Sequence, residues 1–353
     1  MNPIGSANGV NVPDHLYVEL TNRCNLRCTH CYLSAGPGRT DVLHTDLIKR
    51  ALREFADLGG YSVALSGGEP LLHPDWAAIL SEATSMNLSV TVVTNGILLT
   101  ARTIDTLVEH HATIAVSVDG LNAETHDAIR GAGSFEKLRL SLHNLVLAGA
   151  QKQVVVCFTP NHLNIDELGG LARELNREGF QYLYLSLLED RGRQHSTSLG
   201  ALAHNDRVQL LLSLVFLLTN SVGTLHVETG HLRYFFQRLL GDWEPLGDPM
   251  EKTLRITPRG DVFMTAYVDD SRFKLGELRE GTLIKFWGSN RSREIMAAAE
   301  QRFLSLSACH SCPYWIVCGG GSPARAFAMH GSFSQPDDFC QAKYSFLESW
   351  FKA

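Results

Sequence analysis

The sequence predicts an α/β fold built on a parallel sheet, followed by a smaller, cysteine-bearing C-terminal domain. Between residues 16 and 218, apolar runs of strand type alternate six times with segments of helical period. Nearly every polar motif falls where a strand run ends, the edge at which parallel barrels build ligand sites. Past Leu240 the alternation stops and four closely grouped cysteines follow. A chain of 353 residues has room for one large domain and one small one.

The strand runs are residues 16–20, 62–65, 89–93, 113–118, 153–158 and 181–187. Helices are expected over about 45–58, 75–86, 101–110, 135–148, 165–178 and 205–218. In the fourth of these, Phe135, Leu138, Leu142, Leu145 and Val146 recur at helical spacing. Asn164, with Glu167 three residues later, reads as the start of the fifth. Strands joined through helices in this way form parallel pairs with right-handed crossovers. The first strand leads into a cysteine loop, the second into Ser66-Gly67-Gly68-Glu69-Pro70, the third into Thr94-Asn95-Gly96 and the fourth into Ser117-Val118-Asp119-Gly120.

Composition narrows the class. Apolar residues make up 44% and charged residues 19%, a soluble globular mix. A net charge of −6 gives no footing for a nucleic-acid surface. The polar N-terminus lacks the basic and apolar regions of a secretory signal, and the longest apolar run, near 208–218, is too short to span a bilayer. The expected location is cytoplasmic, without membrane or nucleic-acid partners. Eight cysteines in such a chain read as metal ligands rather than disulfides.

Cys24, Cys28 and Cys31 follow the first strand with spacing Cys-x3-Cys-x2-Cys. A cubane of four irons needs a ligand at each, so three thiolates leave one iron open, the position where a cofactor or substrate binds. A zinc knuckle is the competing reading. It lacks a fourth ligand apart from His30, which sits between two of the cysteines and is poorly placed to turn onto the same metal. Cys157, alone in an apolar run, reads as a small buried hydrophobe.

The spacing, its place after a first strand and the aromatic Tyr32 that follows resemble the radical S-adenosylmethionine (SAM) enzymes. That resemblance implies a partial (β/α)6 TIM-type barrel. It also implies a [4Fe-4S] cluster held by Cys24, Cys28, Cys31 and SAM, whose amino and carboxylate groups chelate the open iron. One electron then cleaves SAM to a 5′-deoxyadenosyl radical. In the family, the stretch Gly67-Gly68-Glu69 binds the SAM amino group; read by itself it is equally a tight strand-to-helix turn. The expectation adopted is that Gly68 and Glu69 act on SAM rather than on the fold. Thr94, Asn95, Ser117 and Asp119 offer groups suited to ribose hydroxyls and the SAM carboxylate, and each is also an ordinary loop cap. Arg130 stands where the family pairs the SAM carboxylate, or is a surface ion pair. His30 stands where the family sets a side chain against the adenine.

Residues 243–249 read as a linker, and 254–264 as a hairpin turning at Pro258-Arg-Gly260-Asp. Cys309, Cys312, Cys318 and Cys340 then make a closed four-thiolate set, which iron–sulfur and zinc accept alike. The arrangement resembles the SPASM or twitch extension of radical SAM enzymes, which binds auxiliary clusters. The ligands of the inner of its two clusters are missing together: Thr265 stands in the hairpin, and Ser322 follows Cys318-Gly-Gly-Gly. One auxiliary [4Fe-4S] cluster is therefore expected, with space left at Thr265 and Ser322 for a larger substrate. The expected division is an N-terminal arm over 1–15, the partial barrel over 16–240 and the auxiliary domain over 241–353.

The function this implies is hydrogen abstraction from a substrate by a radical SAM enzyme. The expected substrate is a ribosomally made peptide, served by a separate leader-binding protein because the short N-terminus has no room for such a domain. The electron donor would be a protein such as flavodoxin or ferredoxin. The alternative is tetrapyrrole chemistry of the haem-biosynthesis type, a branch that the segment 185–193 also fits. A third reading, a non-catalytic metal-bound binding protein, requires a broken SAM site, and both Gly67-Gly68-Glu69 and the three cysteines are intact. No catalytic acid or base is identified.

Overall fold

A computed structural model describes residues 12–189, 191–193, 199, 202–220, 222–242 and 252–352. Strands β1 (His15–Thr21), β2 (Ser62–Gly67), β3 (Ser89–Thr94), β4 (Thr113–Ser117), β5 (Val154–Phe158), β6 (Tyr182–Leu185) and β7 (His226–Glu228) lie side by side and parallel, in chain order. Between them run α1 (Thr45–Asp57), α2 (Trp76–Ser85), α3 (Ala101–Glu109), α4 (Ala123–Arg130), α5 (Ser134–Leu147), α6 (Leu168–Arg177) and α7 (His204–Thr219). The six expected strand–helix pairs are all present. Three further elements are α4, β7 and α8 (Arg233–Leu239).

The strands separate their side chains with period two. Leu16, Val18 and Leu20 of β1, Val63 and Leu65 of β2, Val90 and Val92 of β3, and Ile114 and Val116 of β4 are buried in one core with the helices. Ile48, Ala51, Leu52 and Phe55 are the helix α1 contribution to that core, at the i, i+3, i+4, i+7 spacing of one helical face. The alternate positions line a cavity instead: His15 and Tyr17, Ala64 and Ser66, Thr91 and Val93, Thr113, Ala115 and Ser117. Most of these are small or polar, so the inner face of the sheet stays open where a packed barrel would be filled by bulky branched residues.

The expected hairpin is β8 (Thr253–Ile256) and β9 (Asp261–Met264), antiparallel, turning at Gly260 with φ +88°. It belongs to the same sheet, because β8 pairs parallel with β1 from His15↔Thr253 to Val18↔Ile256. With β10 (Lys274–Glu277) the sheet has ten strands in the order β10-β9-β8-β1-β2-β3-β4-β5-β6-β7. The expected linker at 243–249 lies outside the described residues. Asn164 does not cap a helix by its side chain. Its Oδ1 accepts from the Asn161 N–H, and its Nδ2 donates to the carbonyls of Asp119 and Thr159. Glu167 reaches back to the start of α4 and accepts from the Leu121 N–H and the Thr125 hydroxyl. Among the described residues, no helix is long and apolar enough to cross a membrane.

Candidate active site

A cavity of about 490 Å³ runs along the inner face of the sheet, and Cys24, Cys28 and Cys31 all stand in its wall. The loop that carries them is held by backbone bonds, among them Cys24 N–H to Gly36 O at 3.3 Å and Thr29 N–H to Ile129 O at 2.8 Å. Backbone amides already point at two of the sulfurs, from Leu26 onto Cys24 Sγ at 3.4 Å and from Ala35 onto Cys31 Sγ at 3.3 Å. Burial pushes the Cys24 thiol up to about 12, with Cys28 and Cys31 adding repulsion. It also raises Cys28, against the pull of Arg130. Ligation of iron would therefore displace protons from these thiols. Among the described residues, no three His, Cys, Asp or Glu side chains are grouped as a single ion requires. Three neighbouring thiols spread along one cavity wall, two with amide donors on sulfur, suit a multi-iron cluster with one open iron.

The glycine motif meets this loop backbone to backbone. Gly67 has φ +126°, and a Cβ on it would overlap the Thr21 carbonyl; a Cβ on Gly68 would overlap that of Arg23. Gly68 N–H donates to Thr21 O at 2.6 Å and Glu69 N–H to Arg23 O at 2.8 Å. Both glycines line the cavity. Glu69 is fully buried and is not part of the cavity wall. Its carboxylate accepts from Thr94 Oγ1 at 2.8 Å, Asn95 N at 2.9 Å and Leu71 N at 3.3 Å. Burial raises its pKa to about 7 against those hydrogen bonds. The Glu69 carboxylate thus also has a part in the fold: it braces Thr94 and Asn95, which do line the cavity.

Asp119 plays a similar part on the far wall. It is fully buried, and its Oδ2 accepts from Arg130 Nε at 2.7 Å and lies 3.1 Å from His30 Nε2, while Oδ1 accepts from Thr159 N at 2.8 Å. Burial alone would raise its pKa; Arg130 and His30 outweigh it and hold the carboxylate below the usual range. Asp119 is behind the wall, whereas His30, Ser117 and Arg130 are in it. The Nδ1 of His30 is buried without a hydrogen-bond partner, an open polar position beside the cysteines. Arg130 is thus neither a surface ion pair nor a side chain waiting for a first partner. Cys157 stands on the cavity wall rather than in the core, its thiol pushed up to about 12 by burial.

Several cavity residues escaped the sequence reading. The Tyr17 hydroxyl lies 3.0 Å from that of Tyr32 and 2.7 Å from Ser66 Oγ. Arg191 stacks over the Tyr32 ring at 4.5 Å and pairs with Glu189 at 2.6 Å. Tyr17 alternates with Leu16 and Val18, so period two alone could have placed it inward. Arg191 lies in a loop and left no such signal.

In the C-terminal half, Cys309 lies in the short helix Ser307–His310, Cys318 closes Trp315–Cys318, and Cys340 opens the last helix, Cys340–Lys352. Burial raises the thiols of Cys309, Cys318 and Cys340 (Cys340 to about 11); Cys312 adds repulsion at Cys309 and Cys318, and Cys318 and Cys309 add it at Cys340. Gly319, Gly320 and Gly321 turn the chain with φ of 61°, 77° and 76°. Buried Asp337 holds this turn through Ser322 N–H at 2.9 Å and pairs with buried Lys343 at 2.9 Å. Arg302 donates to Gly320 O at 2.7 Å. The four cysteines are near enough to influence one another and are flanked by two buried cations, Arg302 and Lys343, but among the described residues they are not grouped as a single metal ion requires.

Thr265 and Ser322, where space for a larger substrate is expected, have close neighbours. Thr265 is buried with φ +77° and donates its N–H to Thr253 O at 2.8 Å. Ser322 Oγ lies 3.2 Å from His231 Nδ1, and His231 stands edge-on to Tyr267 at 4.2 Å. Arg325 and Asp338 pair at 2.6 Å close by. Neither Thr265 nor Ser322 reaches the cavity, although Tyr267 does.

Comparison with known proteins agrees with this geometry. The model of the radical SAM superfamily matches residues 18–175. Mycofactocin maturase MftC of Mycobacterium tuberculosis is 31% identical over 350 residues, covering 96% of this chain and 85% of that protein. Pre-heme d1 synthase of Dinoroseobacter shibae is 26% identical, covering 91% and 84%. Among solved structures, anSMEcpe with bound AdoMet and the Cp18Cys peptide superposes with a TM-score of 0.77 over 96% of both chains, at 16% identity, which is a likeness of fold.

Proposed function

The chain belongs to the radical SAM superfamily, and from that premise we propose that it is a peptide-modifying maturase. The observation that carries the proposal is the wall formed by Cys24, Cys28 and Cys31 at the mouth of a cavity lined by small inward residues. Once bound, a [4Fe-4S] cluster and SAM supply a 5′-deoxyadenosyl radical for hydrogen abstraction. The protein's part is placement. Gly67, Gly68, Thr94 and Asn95 form the wall next to the cysteines for the SAM amino acid portion, held by Glu69 from behind. His30, Ser117 and Arg130 also line the cavity, placed for the adenine, ribose and carboxylate of SAM, and Asp119 holds His30 and Arg130 from behind.

The maturase relative of matching length and a structure of the same fold holding a peptide beside AdoMet support the peptide. The relative named pre-heme d1 synthase supports a second reading, tetrapyrrole chemistry, and the basic Arg191 and Arg193 in the cavity wall agree with it. The partners proposed are a reductant such as flavodoxin or ferredoxin and a discrete leader-binding protein. The four C-terminal thiolates are proposed to hold one auxiliary [4Fe-4S] cluster.

The test is anaerobic reconstitution with dithionite and SAM. Wild type is expected to form 5′-deoxyadenosine, and a variant with Cys24, Cys28 and Cys31 all replaced by Ala to form none while keeping its C-terminal metal. Undiminished cleavage by the triple variant would end the assignment. Stimulation of cleavage by iron coproporphyrin, with no response to precursor peptides, would move the substrate to the tetrapyrrole class.

A further inference from the structure

The chain that leaves β6 touches both the cysteine loop and the C-terminal half. Leu187, Leu188, Glu189, Arg191 and Arg193 line the cavity. Arg193 grips the loop with three donors: its backbone N–H to Cys31 O at 2.9 Å, Nε to Cys28 O at 2.7 Å and Nη2 to Ala35 O at 2.9 Å. Gly192, with φ +66°, lies so close that a Cβ would overlap the carbonyls of Tyr32 and Cys31. In the other direction, Arg325 Nη1 donates to Leu188 O at 3.0 Å and Arg191 Nη2 to Ala266 O at 2.9 Å. One short segment is therefore wall of the cavity, clamp on the loop and link to the C-terminal half.

We propose that this segment is a strap that couples what fills the cavity to the cysteine loop, with Arg193 as its positioning residue. The proposal rests on the reading that the three thiols hold an iron–sulfur cluster. The planar guanidinium spans two carbonyls, those of Cys28 and Ala35, that a lysine ammonium, a point charge on a flexible stem, does not bridge together. Its cation also sits beside the backbone of two cluster ligands, where positive charge favours the reduced, more negative cluster. A peptide lying against Leu188 and Glu189 displaces the strap and with it Arg193. Both the order of the loop and the reduction potential then respond to substrate.

Arg193→Gln and Arg193→Lys separate the two effects. In cluster-free protein, amide exchange over residues 28–35 is expected to speed up by about tenfold in both variants, the scale of the lost hydrogen bonds. In the reconstituted holoenzyme, the midpoint potential of the three-cysteine cluster, followed by electron paramagnetic resonance, is expected to fall in R193Q and to return to the wild-type value in R193K. Arg325→Lys keeps a cation for Asp338 but gives up the reach to Leu188 O. It is expected to loosen residues 28–35 as well, by a smaller factor, although it does not touch them. Unchanged exchange in R193Q overturns the clamp, unchanged exchange in R325K overturns the coupling, and a potential that R193K fails to restore overturns the charge effect. The exchange measurements need no cluster, so a failure of the cluster assignment is distinguished from a failure of the strap.

Discussion

Both carboxylate oxygens of Glu69 are engaged inside the protein, with Thr94, Asn95 and Leu71 as donors. A motif glutamate that acted only on a ligand could be truncated without cost to the fold. This one leaves buried donors without an acceptor, at about 1–3 kcal/mol each before water enters. Glu69→Ala is therefore expected to lower the unfolding free energy of cluster-free protein by about 2–4 kcal/mol in urea titrations. SAM affinity should fall with it, because Thr94 and Asn95 lose their brace. His231 gives a second residue-scale prediction. Burial, with Arg325 and Lys343 nearby and Asp338 only partly offsetting them, lowers its pKa to about 3. Between the unfolded value of about 6.5 and that folded value, the unfolded chain holds a proton that the folded chain does not. Stability is thus full above about pH 6.5 and is lost as pH falls toward 3. His231→Gln keeps a partner for Ser322 and does not titrate, so the wild type should lose stability relative to H231Q across that window in melts at stepped pH.

At the scale of elements, what the sequence disclosed is what local periodicity controls. The six strand–helix pairs came from apolar runs, and the cysteine loop, Gly67-Gly68 and Asn95 were found because short motifs sit at strand ends. Helix α4 was missed because only His126, Ile129 and Arg130 of it are buried, too few for a readable apolar stripe. Strand β7 has three residues, none of them buried. The pairing of β8 with β1 joins residues far apart in the chain, and the strap after β6 acts through backbone carbonyls of the cysteine loop. Neither leaves a pattern in local sequence. The glycines carried a double signal: the sequence reading took them as open to a ligand, and the structure adds that they meet the cysteine loop. Gly68→Ala tests the addition. Its Cβ would overlap the Arg23 carbonyl, so the loop should shift. We expect iron retention at the three-cysteine site to drop in G68A even without SAM, measured by iron content after gel filtration. A purely ligand-facing glycine would leave SAM-free iron content unchanged.

For the whole molecule, the two cysteine groups belong to one continuous structure. The hairpin β8–β9 extends the barrel sheet, Arg325 ties the C-terminal half to Leu188, and the last helix packs on α7. In the proposed auxiliary cluster, four cysteine ligands beside Arg302 and Lys343 would leave no iron open for substrate, which would suit the C-terminal site to electron transfer and the stapling of its short helices. Thr265 and Ser322 bear no thiol; His231 lies against Ser322 and Tyr267, with the Arg325–Asp338 pair close by. Anaerobic reconstitution should therefore yield about eight irons per chain if both sites carry four-iron cubanes. About four irons with one zinc would make the C-terminal site structural and remove its electron-transfer role. About twelve irons would require an inner cluster built on non-cysteine ligands. That cluster would have to displace His231 from Ser322, so twelve irons would also mean that the packing around Tyr267 rearranges when metal binds.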